Sequence, residues 1–191
     1  MRLFVGVAVD DVVRREAERV MTVMRGRLRG LDARWVSPEN LHLTVRFIGH
    51  VADDRAAAVR AALEQPLAVE PFDVEYGGCG RFPPRGAPRV IWIGLQHGLP
   101  PLSALNAEFD RRVAPFGYPP ESRPFTAHLT LARLKDAHAA AGRNIDAALS
   151  GIDVKPIVQR VDHVAIFESR LSPNGPRYTV LRRIPLSAGD C

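Results

Sequence analysis

The chain of 191 residues has only two cysteines, only two lysines and no long hydrophobic run. Neither Cys79 nor the terminal Cys191 has a Cys or His neighbour at metal-ligand spacing, which argues against a disulfide framework and a zinc knuckle. No stretch approaches the roughly 20 apolar residues that span a bilayer, and the apolar run at 2–9 is too short for a signal peptide. We therefore expect a soluble cytoplasmic protein without a membrane partner, folded around one core.

The positive charge of the chain lies almost entirely on arginine. The formal net charge is +5, and 24 of the 26 basic residues are arginine, the others being Lys135 and Lys155. A guanidinium group binds phosphate through two parallel hydrogen bonds, which an ammonium group does not. The codon usage of a GC-rich genome would produce the same excess. The composition therefore permits a polyanionic partner but does not identify one.

Hydrophobic periodicity predicts a mixture of strands and helices. Strands are expected at 2–9, 41–49, 72–82, 89–95, 127–134, near 153–159, and at 161–168 and 177–185. Helices are expected at 11–28, 51–65, 102–116 and about 137–149. Hairpin-like pairs of strands late in each half favour an α+β fold over a doubly wound parallel sheet.

A weak internal repeat runs through the chain. His-x-Thr occurs in "LHLTVRFIG" at 41–49 and in "AHLTLARL" at 127–134, with the two histidines 86 residues apart. The same offset aligns "AAL" at 61–63 with "AAL" at 147–149, and each is followed by a strand, a Pro/Gly turn and another strand. Two such strand–helix–hairpin units would form a single domain over 1–191, with two lobes related by a pseudo-twofold axis. Each lobe would contribute one His-x-Thr motif to a central cleft.

The two motifs carry groups suited to phosphate chemistry. Residues two apart on a strand share a face, so His42, Thr44 and Arg46 should point one way, as should His128 and Thr130. Two imidazoles beside a phosphate can act as general base and general acid, and threonine hydroxyls can bind its oxygens. A strained cyclic phosphate would need no metal ion. A metal site is the competing reading, but neither motif contains the carboxylate that often completes one.

These motifs, together with "RLFVGVAV" at the start and "IFESRLSPNGPRYTVL" near the end, resemble the 2H phosphoesterase superfamily. The closer resemblance is to its RNA 2′,3′-cyclic phosphodiesterase branch, also called 2′-5′ RNA ligase. It implies a bilobal fold and cofactor-free hydrolysis of a terminal 2′,3′-cyclic phosphate on RNA to a 2′-phosphomonoester, with reversible 2′-5′ ligation as a side activity. By position, His42 is similar to the proton donor and His128 to the proton acceptor, while Thr44 and Thr130 match the phosphate-binding threonines. Ala127 departs from the family, which commonly has Pro there.

Three further residues are candidates for substrate binding. Arg46 could meet the phosphate or be a solvated surface arginine. Arg133 should face away from Thr130 unless a bulge intervenes, although the family motif includes such an arginine. Phe82 follows a strand and could stack a base or anchor its loop. Tyr178 and Trp92 are expected in the core.

Two alternatives remain open at this point. The enzyme could open a cyclic phosphate on a small nucleotide of the ADP-ribose type. The same scaffold could also bind an RNA end without catalysis. The expected partner is an RNA with a 2′,3′-cyclic phosphate end, for example a tRNA fragment, and the expected oligomeric state is a monomer.

Overall fold

The computed structural model describes residues 1–135, 138–172 and 175–188. The helices of these residues are α1 (Asp11–Arg27), α2 (Asp53–Leu63), α3 (Leu99–Val113) and α4 (Ala139–Leu149), with short 3-10 turns at Pro38–Asn40 and Ala114–Phe116. The strands are β1 (Arg2–Ala8), β2 (Ala33–Trp35), β3 (His42–His50), β4 (Leu67–Ala68), β5 (Phe72–Phe82), β6 (Val90–His97), β7 (Leu129–Leu134), β8 (Ile157–Val161), β9 (His163–Ser172) and β10 (Gly175–Ser187). Cys191 and the expected start of the fourth helix at 137 lie outside the described residues.

The strands of the described residues form one sheet. Its order is β4-β10-β9-β1-β3-β7-β6-β5-β8, and β2 pairs with β7 beside that path. Neighbouring strands are antiparallel except for β4 and β10, which are parallel. The predicted α+β fold class is confirmed. β3 and β7, which carry the two His-x-Thr motifs, lie next to each other in the middle of the sheet.

The hairpins that follow β3 and β7 do not stay with those strands. The hairpin that follows β3 pairs with β7 through β6, and the hairpin that follows β7 pairs with β1 through β9. The pairs β1–β3 and β6–β7 each leave an outer edge whose backbone groups need partners. β9 supplies them to β1, and β5 supplies them to β6. Periodicity in a sequence does not report which edge a strand will occupy.

The helices cover one face of the sheet and leave the opposite face of β3 and β7 for the cleft. Leu43 on β3 and Leu129 on β7 are fully buried in the same core as Met24 of α1 and Phe109 of α3. Because side chains alternate along a strand, the residues beside each leucine point away from this core. The histidines and threonines of both motifs therefore face the other side, where they are only partly buried.

Most element boundaries agree with the periodicity, and the differences have local causes. α3 begins at Leu99 rather than near 102, because Pro100 and Pro101 occupy its first turn, where a missing N–H costs nothing. β8 spans Ile157–Val161 rather than 153–159. Among the described residues, no helix has both the length and the apolar character that crossing a membrane would require.

Candidate active site

The two His-x-Thr motifs meet where β3 pairs with β7. Leu43 pairs with Leu129 in antiparallel register, which sets His42 opposite Thr130 and His128 opposite Thr44. The histidines are thus diagonal neighbours on one face, a relation that places two residues roughly 7–8 Å apart, with their Cβ atoms somewhat closer. The structure therefore brings the four residues that the sequence singled out to one place.

Both imidazole rings are held in the same way. His42 Nδ1 lies 2.7 Å from the carbonyl oxygen of Asn40, and His128 Nδ1 lies 2.8 Å from that of Thr126. A carbonyl oxygen only accepts hydrogen bonds, so Nδ1 of each ring carries a proton. Nε2 is then the atom of each ring that is left to exchange a proton with a substrate. The buried Ala127 at the position where the family commonly has Pro does not prevent this contact.

The environment of the site favours neutral imidazoles. Loss of hydration is the main reason why the pKa of His42 falls from 6.5 to about 4, and the positive charges of Arg133 and His128 lower it further. The hydrogen bond to the Asn40 carbonyl opposes this shift. Burial, with a contribution from Arg133, also lowers the pKa of His128. Since the charge of His128 acts on His42, the two rings lie within electrostatic reach of each other.

Arg133 lies on the cleft side of β7 because the strand contains a bulge. The register between β6 and β7 shifts between the pairs Ile91–Ala132 and Trp92–Thr130, so one additional residue of β7 is accommodated there. Arg133 is exposed and lines the same cavity as Thr130. The sequence predicted that Arg133 would face the site only if a bulge intervened, and β7 contains such a bulge.

Arg46 does not lie in the cleft, contrary to the alternation expected along β3. The register against β1 shifts between the pairs Val5–Arg46 and Gly6–Thr44, and the resulting bulge turns the arginine toward the helices. Arg46 is 4% exposed, and its Nε lies 2.6 Å from Asp110 Oδ1 on α3. It also donates hydrogen bonds to backbone carbonyls, including that of Pro119 at 2.6 Å. Neither the phosphate-binding nor the solvated reading of Arg46 fits this position.

Aromatic rings surround both histidines. Phe82 is the last residue of β5, and its ring centroid lies 5.0 Å from that of His128 and 5.0 Å from that of Trp92. Tyr178 of β10 packs against the buried cluster of Phe4, Ala165 and Phe167, but it is only partly buried: it contacts the His42 ring edge-on at 5.2 Å and lines the cleft. The pairing of β10 with β9, which the sequence did not reveal, brings it there. Each motif histidine thus has an aromatic neighbour, Phe82 beside His128 and Tyr178 beside His42.

A cavity of about 660 Å³ opens beside the two motifs. It is lined by Arg34, Trp35, Val36, Ser37, Glu39, Asn40, His42, Thr44, Thr130, Arg133, Ser172, Gly175, Pro176, Arg177 and Tyr178. The segment before β3 forms one wall and the β9–β10 hairpin another, and Asn40 Nδ2 joins the two walls by donating to the Pro176 carbonyl at 2.8 Å. In the described part of the chain, no three His, Cys, Asp or Glu side chains are arranged to hold a metal ion.

Comparison with known proteins identifies the family of this chain. The model of the 2′-5′ RNA ligase superfamily matches residues 12–172. The chain belongs to this superfamily. One relative, named RNA 2′,3′-cyclic phosphodiesterase, from Archaeoglobus fulgidus, is 31% identical over 185 residues, which are 95% of this chain and 98% of the relative. A relative of the same name from Thermotoga maritima is 30% identical over 99% of this chain and 97% of its own length.

Solved structures share the fold of this chain. TT0787 of Thermus thermophilus is 28% identical, with a TM-score of 0.76 and full coverage of both chains. LigT of E. coli, solved in complex with 3′-AMP, has a TM-score of 0.72 over 97% of this chain and 98% of its own. At 23% identity, the likeness to LigT shows the fold alone. The resemblance read from the sequence is confirmed at the level of the superfamily.

Proposed function

We propose that this member of the 2′-5′ RNA ligase superfamily hydrolyses a terminal 2′,3′-cyclic phosphate on RNA to a 2′-phosphomonoester. The observation that carries the proposal is the matched orientation of His42 and His128. Each ring uses Nδ1 to bind a backbone carbonyl two residues earlier in the chain and keeps Nε2 for proton transfer. The curated relatives named RNA 2′,3′-cyclic phosphodiesterase support the same reaction.

The two imidazoles would act as a proton acceptor and a proton donor. Nε2 of His128 takes a proton from water while the water oxygen bonds to phosphorus. The bond from phosphorus to the 3′ oxygen breaks, and Nε2–H of His42 protonates that oxygen, which leaves a 2′-phosphate and a free 3′-hydroxyl. General base and general acid catalysis each contribute about 10²–10⁴-fold. A 5′-hydroxyl in place of water would give 2′-5′ ligation by the same steps.

The remaining groups would stabilise the charge that develops on phosphorus. The hydroxyls of Thr44 and Thr130 can donate hydrogen bonds to the oxygens that do not react, and Arg133 supplies a positive charge beside them. Release of ring strain assists departure of the 3′ oxygen, so the proposed reaction needs no metal ion.

We also propose that the chain is one domain whose two lobes derive from a duplication. Apart from β4 at one edge, the sheet reads β10-β9-β1-β3 on one side of its middle and β8-β5-β6-β7 on the other, and a twofold axis between β3 and β7 would relate these strand positions. The carbonyls of Asn40 and Thr126, which hold the two rings, are separated by the same 86 residues as the histidines. Both observations support the repeat.

The test is an assay on an RNA oligonucleotide with a 2′,3′-cyclic phosphate end, in the presence of EDTA. We expect a 2′-phosphate product, and a loss of kcat of about 10²-fold or more in His42→Asn and in His128→Asn. His50→Asn is the matched control, because His50 lies exposed at the far end of β3. Absence of product, or full activity of either motif variant, would reject the proposal. Tight binding of the RNA end without turnover would favour the non-catalytic binder.

A further inference from the structure

Three arginines line the part of the cavity that extends beyond the two motifs. Arg34 lies on β2, Arg133 on β7 and Arg177 on β10, and all three side chains are exposed. Among the described residues, none of them has a carboxylate within ion-pair distance. Glu39 is the one acidic residue that lines the described cavity. This region therefore carries an excess of positive charge that the protein itself does not neutralise.

The arrangement of two of these arginines costs stability. Arg34 and Arg133 are directly opposite each other in the antiparallel pair β2–β7, and like charges at such positions destabilise a sheet. An anion bound between or beside them would offset this repulsion. The pairing thus points to an anionic ligand in this region of the cavity.

The reacting phosphate can engage only part of this positive region. The charge of Arg133 lowers the pKa of both His42 and His128, which places it beside the atoms that react. Arg34 is one strand further away on β2, and Arg177 belongs to the opposite wall of the cavity. Arg34 and Arg177 are therefore left to bind a second phosphate, one nucleotide away from the first.

We propose that Arg34 and Arg177 bind the phosphate that links the terminal nucleotide of the substrate to the preceding one. This inference rests on the proposed function, since it assumes that the cyclic phosphate lies between the two histidines. Guanidinium groups suit the task because each can donate two parallel hydrogen bonds to a phosphate. The consequence is a preference for a strand of at least two nucleotides over a mononucleotide with the same cyclic end.

The preference can be measured with a matched pair of substrates. A dinucleotide with a 2′,3′-cyclic phosphate end has the linking phosphate, and the corresponding mononucleotide 2′,3′-cyclic phosphate lacks it. We expect the wild-type protein to favour the dinucleotide by about tenfold or more in kcat/KM, and we expect Arg34→Ala or Arg177→Ala to remove most of that ratio. Arg182→Ala is the control, because it removes the same charge from an exposed site on β10 outside the cavity and should leave the ratio as in the wild type.

A change in the substrate gives a test that does not depend on how a variant folds. Replacing the linking phosphate by an uncharged methylphosphonate should cost the wild-type protein about tenfold in kcat/KM and should cost Arg34→Ala much less. Equal turnover of the dinucleotide and the mononucleotide by the wild type would overturn the inference while leaving the proposed function intact, as would an equal methylphosphonate effect in both proteins. Failure of the wild type to open either cyclic phosphate would instead reject the proposed function.

Discussion

Binding of a phosphate should raise the pKa of His42 by about three units. In the empty site the pKa is about 4, so at pH 7 only about one ring in 1,000 carries the proton that a general acid must donate. A pKa lowered from 6.5 to about 4 corresponds to roughly 3 kcal/mol against the charged ring. An anionic phosphate about 4 Å from the ring would stabilise the charge by roughly 4 kcal/mol at an effective dielectric constant of about 20. The substrate itself would therefore protonate its general acid near neutral pH.

Nitrogen and proton NMR of the imidazole side chains measures the pKa of His42 directly, with and without phosphate. The His42 resonances are assigned by their loss in His42→Asn and followed against pH, first in chloride and then with orthophosphate at the same ionic strength. We expect the midpoint to lie well below 6.5 in chloride and to move to near 7 with phosphate. A midpoint at or above 6.5 in the empty protein, or no upward shift with phosphate, would refute the reasoning about desolvation and charge at this ring.

Two further predictions concern residues that support the site. Arg46→Leu should lower the free energy of unfolding in urea by about 3–5 kcal/mol, because it leaves the largely buried carboxylate of Asp110 without its partner; a loss under 1 kcal/mol would contradict the placement of this arginine. Gly6→Ala should lower kcat at least about tenfold, since its Cβ would lie 2.7 Å from a backbone oxygen of β3 and 3.4 Å from the His42 ring. Gly26→Ala, where a Cβ meets nothing within 4 Å, is the control, and equal activity of the two glycine variants would contradict this account.

The core of the candidate site could be predicted from the sequence because it depends on local geometry. Alternation along a strand puts His42 and Thr44 on one face and Leu43 on the other, whatever the strand pairs with. The internal repeat then indicates that a second motif, with His128 and Thr130, serves the same place. Within the described residues, the one cross-strand pair between Leu43 and Leu129 was enough to bring the two motifs together.

The other residues in and around the site are placed by bulges and strand pairings, which leave no clear signal in a single sequence. A bulge inserts one residue into a strand, so every later side chain points to the opposite face of the sheet. Such bulges direct the Arg46 side chain toward the core and the Arg133 side chain toward the cleft. Tyr178 reached His42 only because β10 is paired with β9, and β9 with β1. Arg34 lies on a strand of three residues, too short for its periodicity to be recognised.

The two histidines share a local geometry but differ in their surroundings, and this difference supports the roles proposed for them. The His42 ring packs against Phe4 at 4.6 Å and against Tyr178, and desolvation there brings its pKa to about 4. Burial also lowers the pKa of His128, and its ring lies 5.0 Å from that of Phe82. The more strongly desolvated ring gives up a proton more readily once it has one, which suits protonation of a departing oxygen. His128 is left to remove the proton from water.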